Sequence, residues 1–406
     1  MRYKDYVISL IAHRMKRRIK MATIGQIYAI VNDSAKEALG ERAITVKDTA
    51  TLVSLGDVVL SSDTDKDAFY KALVDRVGRT AIAARKYSSV KRSVKRDEME
   101  WGLIYQKISF RKREAVSNPS WVDNAQANPF DVDIQTEAVQ KLFSSITTYS
   151  FEDSIPDGQL FTAFTNPTAM GAFISGIYTN MRNYMEVAEA DLANLAVNTL
   201  MAGVLIKGTN AQKRNVLAEY NTKFNKSLTV DTCIADTDFL KYVTREIVTV
   251  KDNISTLSTI FNAEEFPRFT PEDKCVVEVL GQFASACDTY LEADTYHNEL
   301  VGLPNYEKVV YWQGSGTGFE FEDVSKIFIK NANLAVSGNA NGECEQSGII
   351  AVIHDYDACA SVIMRRRSSS IYNPRAERFN IFEKADQGYA VDLSENAVVF
   401  YIADTE

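Results

Sequence analysis

Residues 167–202 read PTAMGAFISGIYTNMRNYMEVAEADLANLAVNTLMA. Asn166 can cap a helix, and Pro167 suits the first helical position, where a missing N–H costs nothing. Apolar residues then recur at three- and four-residue steps, and Gly203 is a natural stop. The stretch predicts one helix of about ten turns, roughly 50 Å long. It is either a spine on which the rest of the chain is arranged or a helix that crosses a two-domain protein.

The composition is that of a soluble globular chain with two or three domains. It has 406 residues, of which 46% are hydrophobic and 24% charged. No run of eighteen apolar residues predicts a membrane span, and the N-terminus lacks the order of a signal peptide. The cysteines are widely spaced, so we expect reduced, buried thiols made in a cytoplasm, with neither a disulfide framework nor a zinc site. They are Cys233, Cys275, Cys287, Cys344 and Cys359.

Charge is unevenly distributed along the chain. The net charge is −9, yet residues 1–21 carry +6 and residues 79–115 carry +7. Two basic segments on an acidic body favour self-association by charge complementarity. Nucleic-acid binding would use the same segments, although the field of an acidic protein opposes it. Two solvated basic loops without a partner are the third interpretation.

Before residue 167 the pattern predicts helices and an arm. Helices are expected over 22–40 and 65–77, with a turn-rich segment between them and Gly78 as the second stop. Residues 79–115 alternate weakly and predict a long two-stranded hairpin with a charged tip, which a neighbouring element must order. A helix is predicted over 135–148.

After residue 202 the predicted elements change from helical to β. Helices are expected over 212–225, 236–261 and 284–300, and strands over 274–280 and 309–312. The end predicts a meander with turns at 354–357 and 385–388. Its strands cover 349–353, 359–364, 378–382, 389–393 and 397–402. The fold class is α+β with a protruding arm.

Most signals of enzyme chemistry are missing. No nucleophile elbow occurs, and no cysteine has a histidine–aspartate partner pattern. His13, His297 and His354 are scattered; a metal at His354 with Asp355 and Asp357 is weighed against a solvated turn. Residues 314–318 read GSGTG but lead into carboxylates, which favours a plain loop over a phosphate site. Residues 365–367, three arginines, predict an exposed turn or contact patch rather than a phosphate site. We therefore predict no enzyme and no catalytic, cofactor or metal site.

Five local strings, in order along the chain, resemble one family. They are YAIVNDS at 28–34, FYKALVDRVG at 69–78, FISGIY at 173–178, YNPR at 372–375 and NAVVFYI at 396–402. The chain resembles the major capsid proteins of tailed bacteriophages, which have the Hong Kong 97 type fold, and is most similar to the phi-29-like podophage group. The resemblance implies an N-terminal arm, an extended β-hairpin loop, a long spine helix, and peripheral and axial domains.

The resemblance also implies a domain plan. Its parts are an N-terminal arm and helices over 1–78, the hairpin loop over 79–115, and a peripheral domain over 116–227 with the spine at 167–202. They continue with a mainly axial domain over 228–365 and return strands over 366–406. An immunoglobulin-like domain after the last strand is expected to be absent. Residues 1–20 precede the matching region, and Met21 would be a natural start.

By position, the hairpin loop would overlie an adjacent subunit, and its basic side chains would meet the acidic body of that neighbour. The implied inter-subunit residues are Lys91, Arg92, Lys95, Arg96, Trp101, Arg111, Lys112 and Arg113. Asn373, Pro374 and Arg375 would mark the crossing between domains, where Pro374 fixes the chain direction.

The implied function is self-assembly, as pentamers and hexamers, into an icosahedral or prolate shell around double-stranded DNA. Implied partners are a scaffolding protein, a portal and weakly held DNA, with no membrane and no cofactor. The implied location is the virion capsid, assembled in the host bacterial cytoplasm. Three alternatives stay open: an encapsulin-like nanocompartment shell, a two-domain enzyme, and a nucleic-acid-binding protein that uses residues 1–20 and 91–113.

Overall fold

The α+β class is confirmed by a computed structural model that describes residues 24–84, 93–96, 105–110, 138–143, 146–165, 167–294, 303–313 and 323–404. The helices are α1 (Ile24–Leu39), α2 (Thr49–Leu60), α3 (Asp63–Ala84), α4 (Asp157–Ala163), α5 (Pro167–Lys207), α6 (Val216–Phe224), α7 (Val230–Cys233), α8 (Thr237–Ile254) and α9 (Gly281–Asp294). The strands are β1 (Lys95–Arg96), β2 (Tyr105–Phe110), β3 (Ala138–Phe143), β4 (Ile146–Pro156), β5 (Lys213–Asn215), β6 (Cys275–Leu280), β7 (Glu307–Val309), β8 (Ile327–Lys330), β9 (Glu343–Gln346), β10 (Ile349–Asp355), β11 (Cys359–Asn373), β12 (Arg378–Val391) and β13 (Ala397–Tyr401).

The described residues form two compact units that interleave along the chain. The first holds residues 24–84, 148–186 without residue 166, and 366–385; the second holds the rest. This division differs from the expected domain plan, because residues 187–227 and 386–404 group with the second unit. The difference arises because α5, β11 and β12 each contribute residues to both units.

The first unit packs α1, α2 and α3 around one apolar core. Tyr70 stacks on Phe379 with ring centroids 4.1 Å apart, and Phe69 lies 5.6 Å from Phe164. Helix α2 lies in the segment predicted to be turn-rich. Asp48 caps it by accepting a hydrogen bond from the N–H of Thr51. Because this segment is rich in β-branched residues, its sequence pattern does not predict a helix. The capping box and a buried face stabilise the helix in the fold.

The second unit is built on a five-stranded sheet in the order β5-β13-β10-β6-β7. The predicted meander is therefore wrong: β13 lies between β5 and β10, and β11 belongs to a different, four-stranded sheet in the order β1-β11-β12-β4. Strands β6, β10 and β13 are buried along almost their whole length, as the apolar runs predict. Trp312 is fully buried beside the sheet, and its Nε1 donates to the Ile349 carbonyl at 2.8 Å.

Two predicted helix stops are wrong. Helix α3 continues past Gly78 to Ala84, and α5 continues past Gly203 to Lys207. A glycine inside a helix costs about 1 kcal/mol relative to alanine, which packing can offset. A Cβ at Gly203 would lie 2.6 Å from Leu393 Cδ2, so the missing side chain permits close packing there. The part of α5 from Met185 to Lys207 has the length and composition of a membrane span, but it is mostly buried as a core helix.

Two predicted boundaries inside the β regions are also wrong. Residues 138–143 and 146–156 form strands, where the sequence pattern predicts a helix over 135–148. Strand β12 runs through residues 385–388 without a turn, and Ala385 and Gln387 are both fully buried there. Strand β3 pairs with β2, β4 pairs with β12, and β12 pairs with both β11 and β4; this pairing outweighs the local preference of these segments.

Gly348 supplies a test of the second unit. Its φ is +78°, and an added Cβ would lie 2.1 Å from the Ile402 carbonyl oxygen. We expect Gly348→Ala to destabilise the protein by about 2–4 kcal/mol, because backbone strain and a backbone clash add. The measurement is the midpoint of chemical denaturation. The control is Gly158→Ala in α4, where a Cβ meets nothing and stability should stay equal or rise. Equal midpoints for both variants would contradict the geometry.

Candidate functional site

A hairpin formed by β2 and β3 is the feature closest to the predicted arm. Six residue pairs align antiparallel, from Tyr105 opposite Phe143 to Phe110 opposite Ala138, and residues 111–137 connect the two strands. The predicted hairpin over 79–115 is therefore misplaced. Its first residues belong to α3, and the partner of its second strand is β3. Strand β3 lies in the segment that the sequence pattern predicts as a helix.

Two lysines face each other across this hairpin. Lys107 on β2 is directly opposite Lys141 on β3, and like charges at such positions destabilise a strand pair. The repulsion is offset by a group of carboxylates in the same unit. We call these residues the root cluster: Lys107, Lys141, Glu264, Asp392 and Glu395.

Asp392 is shared by both lysines of the root cluster. Its Oδ2 lies 2.8 Å from Lys107 Nζ, and its Oδ1 lies 2.8 Å from Lys141 Nζ. Lys107 also contacts Glu395 Oε1 at 2.7 Å, and Lys141 contacts Glu264 Oε1 at 2.6 Å. The Asp392 side chain is only 2% exposed, so the shared carboxylate fixes the two strands to the body of the second unit.

The surroundings shift the pKa values of two carboxyl groups of the root cluster in opposite directions. Burial raises the pKa of Asp392, but the ammonium groups of Lys107 and Lys141 lower it by more, so this pKa lies below its ordinary value. Burial raises the pKa of Glu395 above its ordinary value, although Lys107 and Arg268 oppose the shift. The two lysines therefore favour the charged form of Asp392.

Two of the predicted inter-subunit residues are used inside the chain. Lys95 Nζ lies 2.9 Å from Glu189 Oε2. The Arg96 guanidinium lies 3.5 Å from the centroid of the Tyr356 ring and donates to the carbonyls of Ser93 and Tyr356. Because β1 pairs with β11, both side chains contact their own unit, and their contact with a neighbouring subunit stays a prediction.

The other predicted arm residues lie outside the described residues. They are Lys91, Arg92, Trp101, Arg111, Lys112 and Arg113. His13, His297 and the loop over 314–318 lie outside them as well.

Asn373, Pro374 and Arg375 do not mark a crossing between units. They lie in the turn between β11 and β12, inside the first unit. The Asn373 side chain accepts hydrogen bonds from the N–H groups of Arg375 and Ala376 at 3.2 and 3.3 Å. Asparagine and proline form a tight turn here, while the chain passes between units at residues 365–366 and 385–386.

The remaining described polar candidates lie on strands β10 and β11. His354 is fully buried on β10, with its Nε2 3.7 Å from Glu278 Oε1, so the predicted solvated turn is wrong at this residue. Arg365–Arg367 lie within β11 rather than in a turn. Within the described ranges, no group of three or more histidine, cysteine or acidic side chains could hold a metal ion.

Sequence reasoning missed the root cluster. Lys141 lies in the segment predicted as a helix, and Asp392 lies at the end of a strand followed by Leu393-Ser394-Glu395. The one available signal was the pattern Asp-x-x-Glu between two apolar strands, which brings two carboxylates to one turn. That pattern occurs too often in an acidic chain to identify a partner.

Comparison with known proteins connects this architecture to a family. The model of the Phi29-like phage major capsid protein family matches residues 31–401. The major capsid protein of Bacillus phage GA-1 is 27% identical over 183 residues, which are 45% of this chain and 37% of that relative. The chain thus matches less than half the length of this relative.

Solved capsid structures are similar at low TM-scores. The capsid of Staphylococcus phage Andhra is 11% identical with a TM-score of 0.44, over 78% of this chain and 87% of that one. The capsid of Cyanophage P-SCSP1u is 9% identical with a TM-score of 0.45, over 79% and 90%. Because the family model covers most of its residues, the chain belongs to the Phi29-like phage major capsid protein family.

Proposed function

We propose that this chain is a shell-forming subunit with the Hong Kong 97 type fold. Copies of it assemble as pentamers and hexamers into an icosahedral or prolate phage shell that encloses double-stranded DNA. The observation that carries this proposal is the family match over residues 31–401. A shell subunit needs no catalytic site, and we propose none. The same match disfavours the two-domain enzyme and the encapsulin-like shell.

The root cluster supports a mechanical role for the hairpin. An arm that reaches another copy must be fixed at its base, and Asp392 holds both strands there. We assign the arm to β2, β3 and the residues 111–137 that connect them. Arg111, Lys112 and Arg113 follow β2 directly in the sequence, and with Lys91, Arg92 and Trp101 they are the proposed contacts to a neighbour. Lys95 and Arg96, which also contact their own unit, complete this proposed set.

The proposed partners follow from the same role. The chain binds copies of itself, and a scaffolding protein and a portal complete the shell. Contact with DNA is weak and non-specific, because an overall acidic protein repels phosphate. The proposed location is the virion capsid, after assembly in the host bacterial cytoplasm.

Charge reversal at the start of the arm tests this role. The variant combines Arg111→Glu, Lys112→Glu and Arg113→Glu. We expect a folded monomer with unchanged circular dichroism and at least about a tenfold rise in the concentration needed for assembly, because several weak ion pairs are lost at every contact. Sedimentation velocity measures that concentration.

The matched control reverses three exposed lysines of the first unit, Lys36, Lys47 and Lys384, and should assemble like the parent chain. Normal assembly of the arm variant would count against the proposed role of the arm.

A further inference from the structure

A loop of the second unit is rigidly built yet apolar at its surface. We call residues 255–273, which follow α8, the apolar loop. Ser258 and Arg268 exchange two backbone hydrogen bonds of 2.9 Å across it. The Asn262 side chain binds the carbonyl and the N–H of Phe266 at 2.6 and 2.7 Å. Because these bonds fix its backbone, the loop presents one defined surface.

That surface exposes three large apolar side chains. Leu257 is 52% exposed, Ile260 50% and Phe269 46%. Leu257 and Phe269 flank the bridge between Ser258 and Arg268, so they face each other across the loop on the same side. Water contact with apolar side chains on an ordered loop is unfavourable, so burying these three side chains against another surface would be favourable.

A second surface of the same unit combines aromatic and basic side chains. We call it the aromatic patch: Lys223, Phe224 and Lys226 are exposed, and Tyr220 on α6 and Tyr242 on α8 are buried tyrosines whose rings contact Phe224. The Phe224 ring lies 4.9 Å from the Tyr220 ring and 5.8 Å from the Tyr242 ring, and is 46% exposed. Lys223 Nζ lies 5.4 Å from the Tyr242 ring centroid.

The two surfaces also complement each other in charge. Glu265 and Asp273 on the apolar loop are exposed and form no ion pair within the described part of the chain. Lys223 and Lys226 are likewise exposed, and among the described residues neither ammonium group meets a carboxylate. Two available carboxylates thus border one apolar surface, and two available ammonium groups border the other.

The two surfaces lie at different positions along α8. Tyr242 and the end of α8 at Ile254 are twelve residues apart on one helix, which separates them by roughly 18 Å. We propose that the apolar loop of one copy packs on the aromatic patch of a second copy, with Leu257, Ile260 and Phe269 against Phe224, and Glu265 and Asp273 beside Lys223 and Lys226.

This contact joins two different surfaces. A pair of copies therefore still has one unoccupied apolar loop and one unoccupied aromatic patch. Contacts of that kind repeat and close into a ring when the rotation between copies divides a full turn. The inference rests on the proposed function and adds to it the surfaces through which copies join around a capsomer.

Charge exchange tests the contact in the full chain. One variant combines Glu265→Lys with Asp273→Lys, a second combines Lys223→Glu with Lys226→Glu, and a third carries all four changes. We expect each pair of changes to raise the concentration needed for assembly about tenfold, and the fourfold variant to return it to within about threefold of the parent value. Reversal of Lys36 and Lys47 in the first unit is the matched control and should have no effect.

A covalent readout does not depend on assembly strength. Under mild oxidation, the double variant Leu257→Cys with Phe224→Cys should give a ladder of disulfide-linked copies, and either single variant should not. The inference is overturned if either charge reversal leaves assembly unchanged, if the fourfold variant is not restored, or if no ladder forms. A parent chain that stays monomeric at every concentration, with and without a co-expressed scaffolding protein, would instead overturn the proposed function.

Discussion

Replacing Asp392 by asparagine is expected to loosen the hairpin from the second unit and to prevent normal assembly. The substitution removes the only carboxylate in the described structure that both Lys107 and Lys141 contact, while the two ammonium groups remain opposite each other. Because Asp392 is buried and its lysine partners are only 15% and 25% exposed, we expect the free energy of unfolding to fall by about 2–4 kcal/mol.

Hydrogen exchange at residues 105–110 and 138–143 measures this effect where it arises. Protection in both strands should fall in Asp392→Asn and not in the control Glu343→Gln. That control breaks the exposed Lys330–Glu343 pair at 3.6 Å, which contributes at most about 1 kcal/mol. Unchanged protection in Asp392→Asn would show that backbone pairing alone holds the hairpin.

The pKa of Asp392 adds a pH dependence to the same comparison. Since the pKa of Asp392 is lowered in the folded chain, its stabilisation is present above its unfolded pKa of about 4 and is lost as the pH falls towards the folded value. The difference in stability between the parent chain and Asp392→Asn should therefore shrink below about pH 4. A difference that does not depend on pH would mean that the charge of Asp392 is not the cause.

A proline in the long helix should have the other large effect. Val187 is 52% exposed and lies where α5 passes from residues of the first unit to residues of the second. Val187→Pro removes a backbone hydrogen bond and forces a kink in α5. We therefore expect the free energy of unfolding to fall by at least about 3 kcal/mol and soluble expression to be poor. Both cores contain side chains of this helix, Met170 in the first and Leu200 in the second.

Val187→Ala separates the backbone effect from the side chain. The exposed Val187 side chain contributes little to stability, so Val187→Ala should change the free energy of unfolding by no more than about 0.5 kcal/mol. If the proline variant folds and assembles like the alanine variant, a continuous α5 is not required for the native structure.

The sequence predicts the elements whose signal is local. The start of α5 follows from Pro167, and the buried strands β6, β10 and β13 follow from their apolar runs. These features depend on a few neighbouring residues, so a pattern is enough to recognise them. The end of α5 is misplaced, since the tolerance of Gly203 depends on Leu393, far away in sequence.

The candidate site depends on long-range pairing and could not be predicted in the same way. Strand β3 is a strand because it pairs with β2, and nothing within residues 138–143 identifies that partner. Asp392 acquires its role only when Lys107 and Lys141 meet it, at sequence separations that no local pattern spans. For the same reason no local pattern shows that Lys95 and Arg96, basic residues in a basic segment, contact their own unit.

The central claim is that copies of this chain assemble into a shell. Negative-stain electron microscopy of the purified full chain, concentrated stepwise, tests it most directly. We expect closed shells, or tubes and sheets built from rings of subunits, at the higher concentrations. A chain that stays a uniform monomer at every concentration, with and without a co-expressed scaffolding protein, would contradict the claim.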